Sequence, residues 1–202
     1  MIQRILALLA GFLVVAAIGG WGREHQPTGT DQPQAAQALR AVTHSEPNAL
    51  SLIPTDFRSV MGYQPTVAPT GPTRANGGCS SPFGGTPYHF TAACRQHDLG
   101  YDLLRYANAK GQPLGPWARR AVDHRFAEQT RSRCDSFGCR IASGFYTGMV
   151  AFNSWRQGYG TPVAEPIGRL ALPVGAGLGT ALLLGLSAPT RRSRSVLTER
   201  PA

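Results

Sequence analysis

A histidine and an aspartate stand side by side in CRQHDLGYDLLRY, residues 94–106. His97 offers an imidazole that can take a proton from water, the work of a general base. Asp98 offers hard carboxylate oxygens of the kind that hold Ca²⁺. The stretch reads as a helix from about Ala92 to Ala109 with Thr91 as its cap, and Cys94, His97, Tyr101 and Leu104 form one stripe at three- and four-residue steps. His97 therefore points inward. A second helix, Trp117 to about Cys134, carries Asp123, Phe126, Ala127 and Thr130 on one face. The intervening turn, KGQPLGP, is short enough to force antiparallel neighbours, which can bring Asp123 opposite His97. A carboxylate accepting from one ring nitrogen fixes the tautomer and leaves the other nitrogen to act as base. His97 and Asp123 are the candidate catalytic dyad.

The elements that must position this pair are helices joined by pinned loops. A third helix, Arg140 to Gly158, repeats Ile141, Phe145, Met149, Phe152 and Trp155 at helical intervals, an apolar face expected to cover the other two. Four cysteines, Cys79, Cys94, Cys134 and Cys139, are an even number confined to the middle of the chain. They suit disulfides in an oxidising compartment better than a zinc site, since no second Cys or His stands at zinc-finger spacing. Three pairings are possible, and local geometry favours Cys79 with Cys94 and Cys134 with Cys139. Before them, LSLIPTDFRSVMGY at 50–63 suggests a short helix, and the Pro- and Gly-broken stretch 64–78 reads as turns and loop.

The two ends differ from this middle. Residues 5–21 follow Arg4 without a single charge, the layout of a secretory signal peptide or an uncleaved membrane anchor. Residues 22–48, rich in Gln, Pro, Thr, Ala and Gly, read as a flexible linker with room for a short helix at 34–42. Residues 170–188 again lack charge and are followed by Arg191, Arg192 and Arg194. That pattern reads as a transmembrane helix with the basic tail, 189–202, in the cytoplasm and the cysteine-bearing domain, 49–163, outside. A core helix of the soluble domain is the competing reading of 170–188.

Charge narrows the partners. The chain carries 20 Lys+Arg against 11 Asp+Glu, a formal +9, and every basic residue but Lys110 is arginine. A surface of this sign attracts anionic lipid head groups or nucleic acid. Aromatic and basic residues are not interleaved in any nucleic-acid-binding pattern, so nucleic acid is set aside. The oligomeric state has no signature in the chain.

The order CSSP, a loop, FTAAC, RQHDLGY and then an aspartate on the next helix resembles the phospholipase A2 superfamily, its prokaryotic secreted branch most closely, over about residues 77–139. The resemblance implies a small all-α, disulfide-pinned domain. It implies calcium-dependent hydrolysis of the sn-2 ester of glycerophospholipids, with His97 the base, Asp123 its orienter and Asp98 a Ca²⁺ ligand. His89 and His124 match no role in the family and read as solvated, and Tyr101 reads as core. Prokaryotic relatives carry an aspartate two residues before the first cysteine that contributes to calcium binding; here that position is Gly77. The Asn76 side chain and the Gly77 and Gly78 carbonyls would then be the remaining ligands, and Gly77→Asp would be expected to strengthen the site. The alternative is a non-catalytic lipid-surface module with a degraded calcium site.

Overall fold

The computed structural model describes residues 29–79 and 88–164, with Ile5, Leu9, Gly11, Pro27 and Gly179 as isolated further positions. The chain divides into two units, Met1–Gly20 with Glu165–Ala202, and Trp21–Ala164; every element below belongs to the second. In order these are α1 (Pro33–His44), α2 (Phe57–Met61), β1 (Thr66–Ala68), β2 (Gly71–Thr73), α3 (Thr91–Ala109), α4 (Pro116–Arg131) and α5 (Phe137–Arg156). The described domain is thus mostly helical. Among the described residues no helix is long and apolar enough to cross a membrane. The apolar runs 5–21 and 170–188 and the tail 189–202, isolated positions aside, lie outside the described residues.

The linker reading of 22–48 needs correction. From Asp31 onward this segment is part of the domain, because α1 presents Ala35, Ala38, Leu39 and Val42 at i, i+3, i+4 and i+7 and buries all four among residues of α3 and α4. Complete burial of a leucine such as Leu39 contributes about 1.5–3 kcal/mol. Composition averaged over the segment hides this stripe behind its Gln, Pro and Thr residues. The helix start is fixed locally: Pro33 stands in the first turn, and Gln32 Oε1 accepts from Ala35 N at 2.5 Å. The Asp31 carboxylate accepts from Gly115 N at 2.8 Å and Trp117 Nε1 at 2.7 Å, tying this segment to the start of α4.

Stretch 64–78 is not loop throughout. Val67 pairs with Pro72 and Thr66 with Thr73 in a two-stranded antiparallel hairpin whose turn ends at Gly71, at a φ of 105° that favours glycine. The hairpin lies against α3, held by Gln96 Nε2 donating to Thr70 O at 2.6 Å.

α3 and α4 are antiparallel, as their contacts show: Gln96 meets Gln129, Gly100 meets Val122, and Tyr101 meets Arg119. α5 runs back along α4, with Ser143 on Thr130 and Ser154 on Arg119. Both favoured disulfides are present, Cys79–Cys94 and Cys134–Cys139. They sit in a small second core with Phe90, Ala93 and Phe126; the first ties Cys79 to the start of α3, and the second ties the turn after α4 to the start of α5.

The third helix differs from expectation in direction. Most of its apolar stripe does not cover its neighbours: Ile141, Phe145, Met149 and Phe152 are between 40 and 60% exposed, Trp155 is half-buried, and the residues it buries are Cys139, Ser143, Ser154 and Arg156. The polar face turns inward because α4 presents polar groups to it. Ser143 Oγ donates to Thr130 Oγ1 at 2.9 Å, and Ser154 meets the wholly buried Arg119. Leaving such groups unpaired would cost about 1–3 kcal/mol each.

Candidate active site

His97 lies in the second turn of α3 and Asp123 at the middle of α4, and the antiparallel crossing brings them together. Nε2 of His97 is 3.1 Å from Asp123 Oδ1, with only 10% and 13% of the two side chains exposed. The imidazole is packed between two rings, its centroid 4.1 Å from that of Tyr101 and 5.0 Å from that of Phe126. Nδ1 makes no hydrogen bond with a described residue, so the nitrogen left over is the one placed to accept a proton.

The Asp123 carboxylate is held from both sides. Tyr101 Oη donates to Oδ1 at 2.9 Å and Ser154 Oγ donates to Oδ2 at 2.5 Å. Burial, and then the adjacent Asp123 charge, raise the pKa of Tyr101, so its hydroxyl stays protonated and remains a donor. Tyr101 is therefore core, as the sequence implied, and also part of the dyad's support. Sequence reasoning missed Ser154 and Arg119. Arg119 had a faint signal, since it stands one turn before Asp123 on the same face; Ser154, in a helix read for its apolar residues, had none.

A pocket of about 280 Å³ opens at His97, lined by that residue, Asp98 and Gly78 and by Phe145, Tyr146, Met149 and Val150 of α5. Polar chemistry at the floor and apolar walls above suit a ligand with a reactive head and a hydrocarbon chain. Its mouth continues into the exposed stripe of α5, which shares Phe145 and Met149 with it.

The residues expected to hold calcium are placed differently. Asp98 Oδ2 accepts from the backbone N–H of Gly78 at 2.9 Å, and the Gly77 carbonyl accepts from Arg95 Nε at 3.1 Å. Asn76 is exposed. The loop thus turns a donor toward the carboxylate, and one of its carbonyls is already engaged. Burial raises the Asp98 pKa, opposed by the Gly78 N–H and by the charges of His97 and Arg74. Arg74 itself pairs with the buried Asp102 at 3.2 Å. Calcium takes six to eight oxygens. Of the expected set, Asp98 and Gly78 line the pocket beside His97. Among the described residues no group of three or more His, Cys, Asp or Glu side chains could hold a metal.

Gly77→Asp fares no better. A Cβ at this position would lie 2.5 Å from Asp98 Oδ2 and 3.2 Å from the Arg74 carbonyl. His89 is exposed, and His124, 76% exposed, faces Glu128 at 3.5 Å. Both lie away from the site.

No protein-family model, curated protein or solved structure matches this chain. The resemblance to the phospholipase A2 superfamily rests on the sequence of residues 77–139 alone.

Proposed function

We propose that the domain hydrolyses a carboxylic ester of an amphipathic lipid, the sn-2 ester of a glycerophospholipid being the substrate that the resemblance implies. The observation that carries this reading is His97, bonded to Asp123 behind it, lining a largely apolar pocket. His97 Nδ1 takes a proton from a water as that water adds to the ester carbonyl, and Asp123 steadies the imidazolium through Nε2. The carbonyl carbon then loses the alcohol, and the proton passes from His97 to the departing alkoxide. The exposed stripe of α5 supports a substrate presented at a lipid surface, and the two disulfides support a location outside the cytoplasm.

A second reading is a non-catalytic module that binds lipid surfaces through the same stripe. It is favoured by the engagement of the Gly77 carbonyl by Arg95 and of Asp98 by the Gly78 N–H, two groups that the expected calcium site would need for the ion. Fatty-acid release from phosphatidylglycerol vesicles, measured with Ca²⁺ and with chelator, separates the two. Release that disappears in His97→Ala supports the hydrolase. Vesicle binding without release under either condition supports the module. Equal release in both conditions supports hydrolysis without calcium.

A further inference from the structure

The bulkiest side chain fully withdrawn from solvent is a cation, Arg119 of α4. Its Nε donates to Ser154 Oγ at 2.8 Å and reaches Tyr101 Oη at 3.3 Å, and its Nη1 donates to Gln157 Oε1 at 2.9 Å and to the Gly160 carbonyl at 3.0 Å. None of these partners is charged. The negative charge that answers it lies one hydrogen bond further on, at Asp123, which receives Ser154 on one oxygen and Tyr101 on the other.

Hydrogen counting gives this arrangement a direction. A guanidinium has only donors, whereas each hydroxyl has one hydrogen and lone pairs to spare. Both hydroxyl oxygens therefore share the single Nε–H of Arg119, Ser154 the closer, and both hydroxyl hydrogens go to the Asp123 carboxylate. The 3.0 Å contact between Tyr101 Oη and Ser154 Oγ needs no hydrogen of its own. The two hydroxyls thus tether the Asp123 carboxylate where it meets Nε2, and a carboxylate held there keeps the ring proton of His97 on Nε2 and the lone pair on Nδ1.

We propose that Arg119, acting through Ser154 and Tyr101, is a positioning residue that holds the Asp123 carboxylate against Nε2 of His97, where that carboxylate fixes the tautomer with Nδ1 as the base. Its kinetic consequence rests on the hydrolytic reading; its effect on the tautomer does not. A cross-linker that merely ties α4 to the end of α5 through Gln157 and Gly160 would hold the fold without acting on His97.

The test uses the full chain with ¹⁵N-labelled histidine, in the wild type and in Arg119→Gln, Arg119→Lys and Ser154→Ala. The imidazole ¹⁵N spectrum of the wild type should show His97 protonated at Nε2. Arg119→Gln brings in an acceptor that can draw a hydroxyl hydrogen away from Asp123, so the carboxylate loses a tether, can turn away from Nε2, and should no longer hold His97 in a single tautomer. With phosphatidylglycerol vesicles as substrate, its kcat should fall roughly ten- to hundredfold with KM little changed, the range for a group acting through the partner of a functional histidine. Arg119→Lys keeps a donor-only cation and should retain the tautomer and most of the turnover. Ser154→Ala spares the bonds to Gln157 and Gly160 and should reproduce the tautomer change in part. A folded Arg119→Gln with the Nε2–H form intact overturns the proposal. So does Arg119→Lys as damaged as Arg119→Gln. Where Arg119→Gln does not fold, Ser154→Ala decides, and an unchanged tautomer there is equally fatal. Should the wild type release no fatty acid, the hydrolytic reading fails while the spectra still decide the role of Arg119.

Discussion

Gly100 of α3 and Val122 of α4 meet so closely that a Cβ on Gly100 would lie 2.7 Å from both Val122 methyl carbons. This contact sets the distance between the two helices one turn after His97 and one residue before Asp123. A β-branched side chain in a helix has essentially one rotamer, so Val122 cannot turn aside. Gly100→Ala should therefore push the helices apart, costing about 1–3 kcal/mol as overpacking does. Urea unfolding would show it as a lower midpoint, and lengthening of the His97–Asp123 bond should lower turnover as well. Wild-type stability in Gly100→Ala would rule out the close crossing.

His97→Ala should reduce fatty-acid release by about 10²–10⁴-fold, the usual contribution of a general base, with the circular dichroism spectrum unchanged. Asp123→Asn should lower kcat through loss of imidazole orientation. The double variant should lose little beyond His97→Ala alone, because groups that act as one unit are non-additive. Additive losses would show that Asp123 acts separately.

Asp98 gives a pH signature. Burial raises its pKa in the folded chain above the ordinary value of 3.8, so the ionised carboxylate counts against folding. That penalty is absent below 3.8, where the group is protonated whether folded or unfolded, and is complete above the raised folded value. Asp98→Asn should accordingly raise the melting temperature at neutral pH, and the gain should shrink as pH falls to 3.8 and below. A gain that grows on acidification would reverse the assignment. Gly77→Asp, whose Cβ would meet Asp98 Oδ2 at 2.5 Å, should lower the melting temperature rather than sharpen a response to calcium. A calorimetric scan with and without Ca²⁺ measures both effects.

The disulfide joining Cys79 to Cys94 spans 15 positions, and Cys134–Cys139 spans 5. Loop-closure entropy assigns about 3 kcal/mol to a cross-link of the longer kind and less to a shorter one. Paired serine replacement of Cys79 and Cys94 should therefore destabilise the protein more than replacement of Cys134 and Cys139, as read from denaturant midpoints. The reverse order would place the main constraint in the short loop.

Ile141 and Met149 are 60% and 52% exposed on the outer face of α5. Ile141→Asp and Met149→Asp should leave thermal stability near that of wild type, because neither side chain fills the core. Co-sedimentation with anionic vesicles should fall, since each change removes apolar contact and adds repulsion. Unaltered vesicle binding in the double variant would exclude this face as the lipid-facing one.

The chain by itself determined the helices around the site and the meeting of its two central residues. The stripe Cys94, His97, Tyr101, Leu104 and the short turn at 110–116 suffice to turn His97 inward and bring Asp123 opposite it, because local periodicity and a tight connection leave antiparallel packing as the only arrangement. Pairing of the cysteines was legible for a similar reason, each favoured pair being close in sequence. What α5 does with its apolar stripe was decided only in three dimensions. Periodicity fixes which residues share a face, whereas the direction of that face depends on its neighbour, and a buried guanidinium at Arg119 draws Ser154 inward and leaves Phe145 and Met149 facing out. The same holds for α1, whose small apolar stripe has value only against α3 and α4, and for the loop at Gly77, where Arg95, eighteen residues away in the chain, takes the carbonyl that sequence alone had left for an ion.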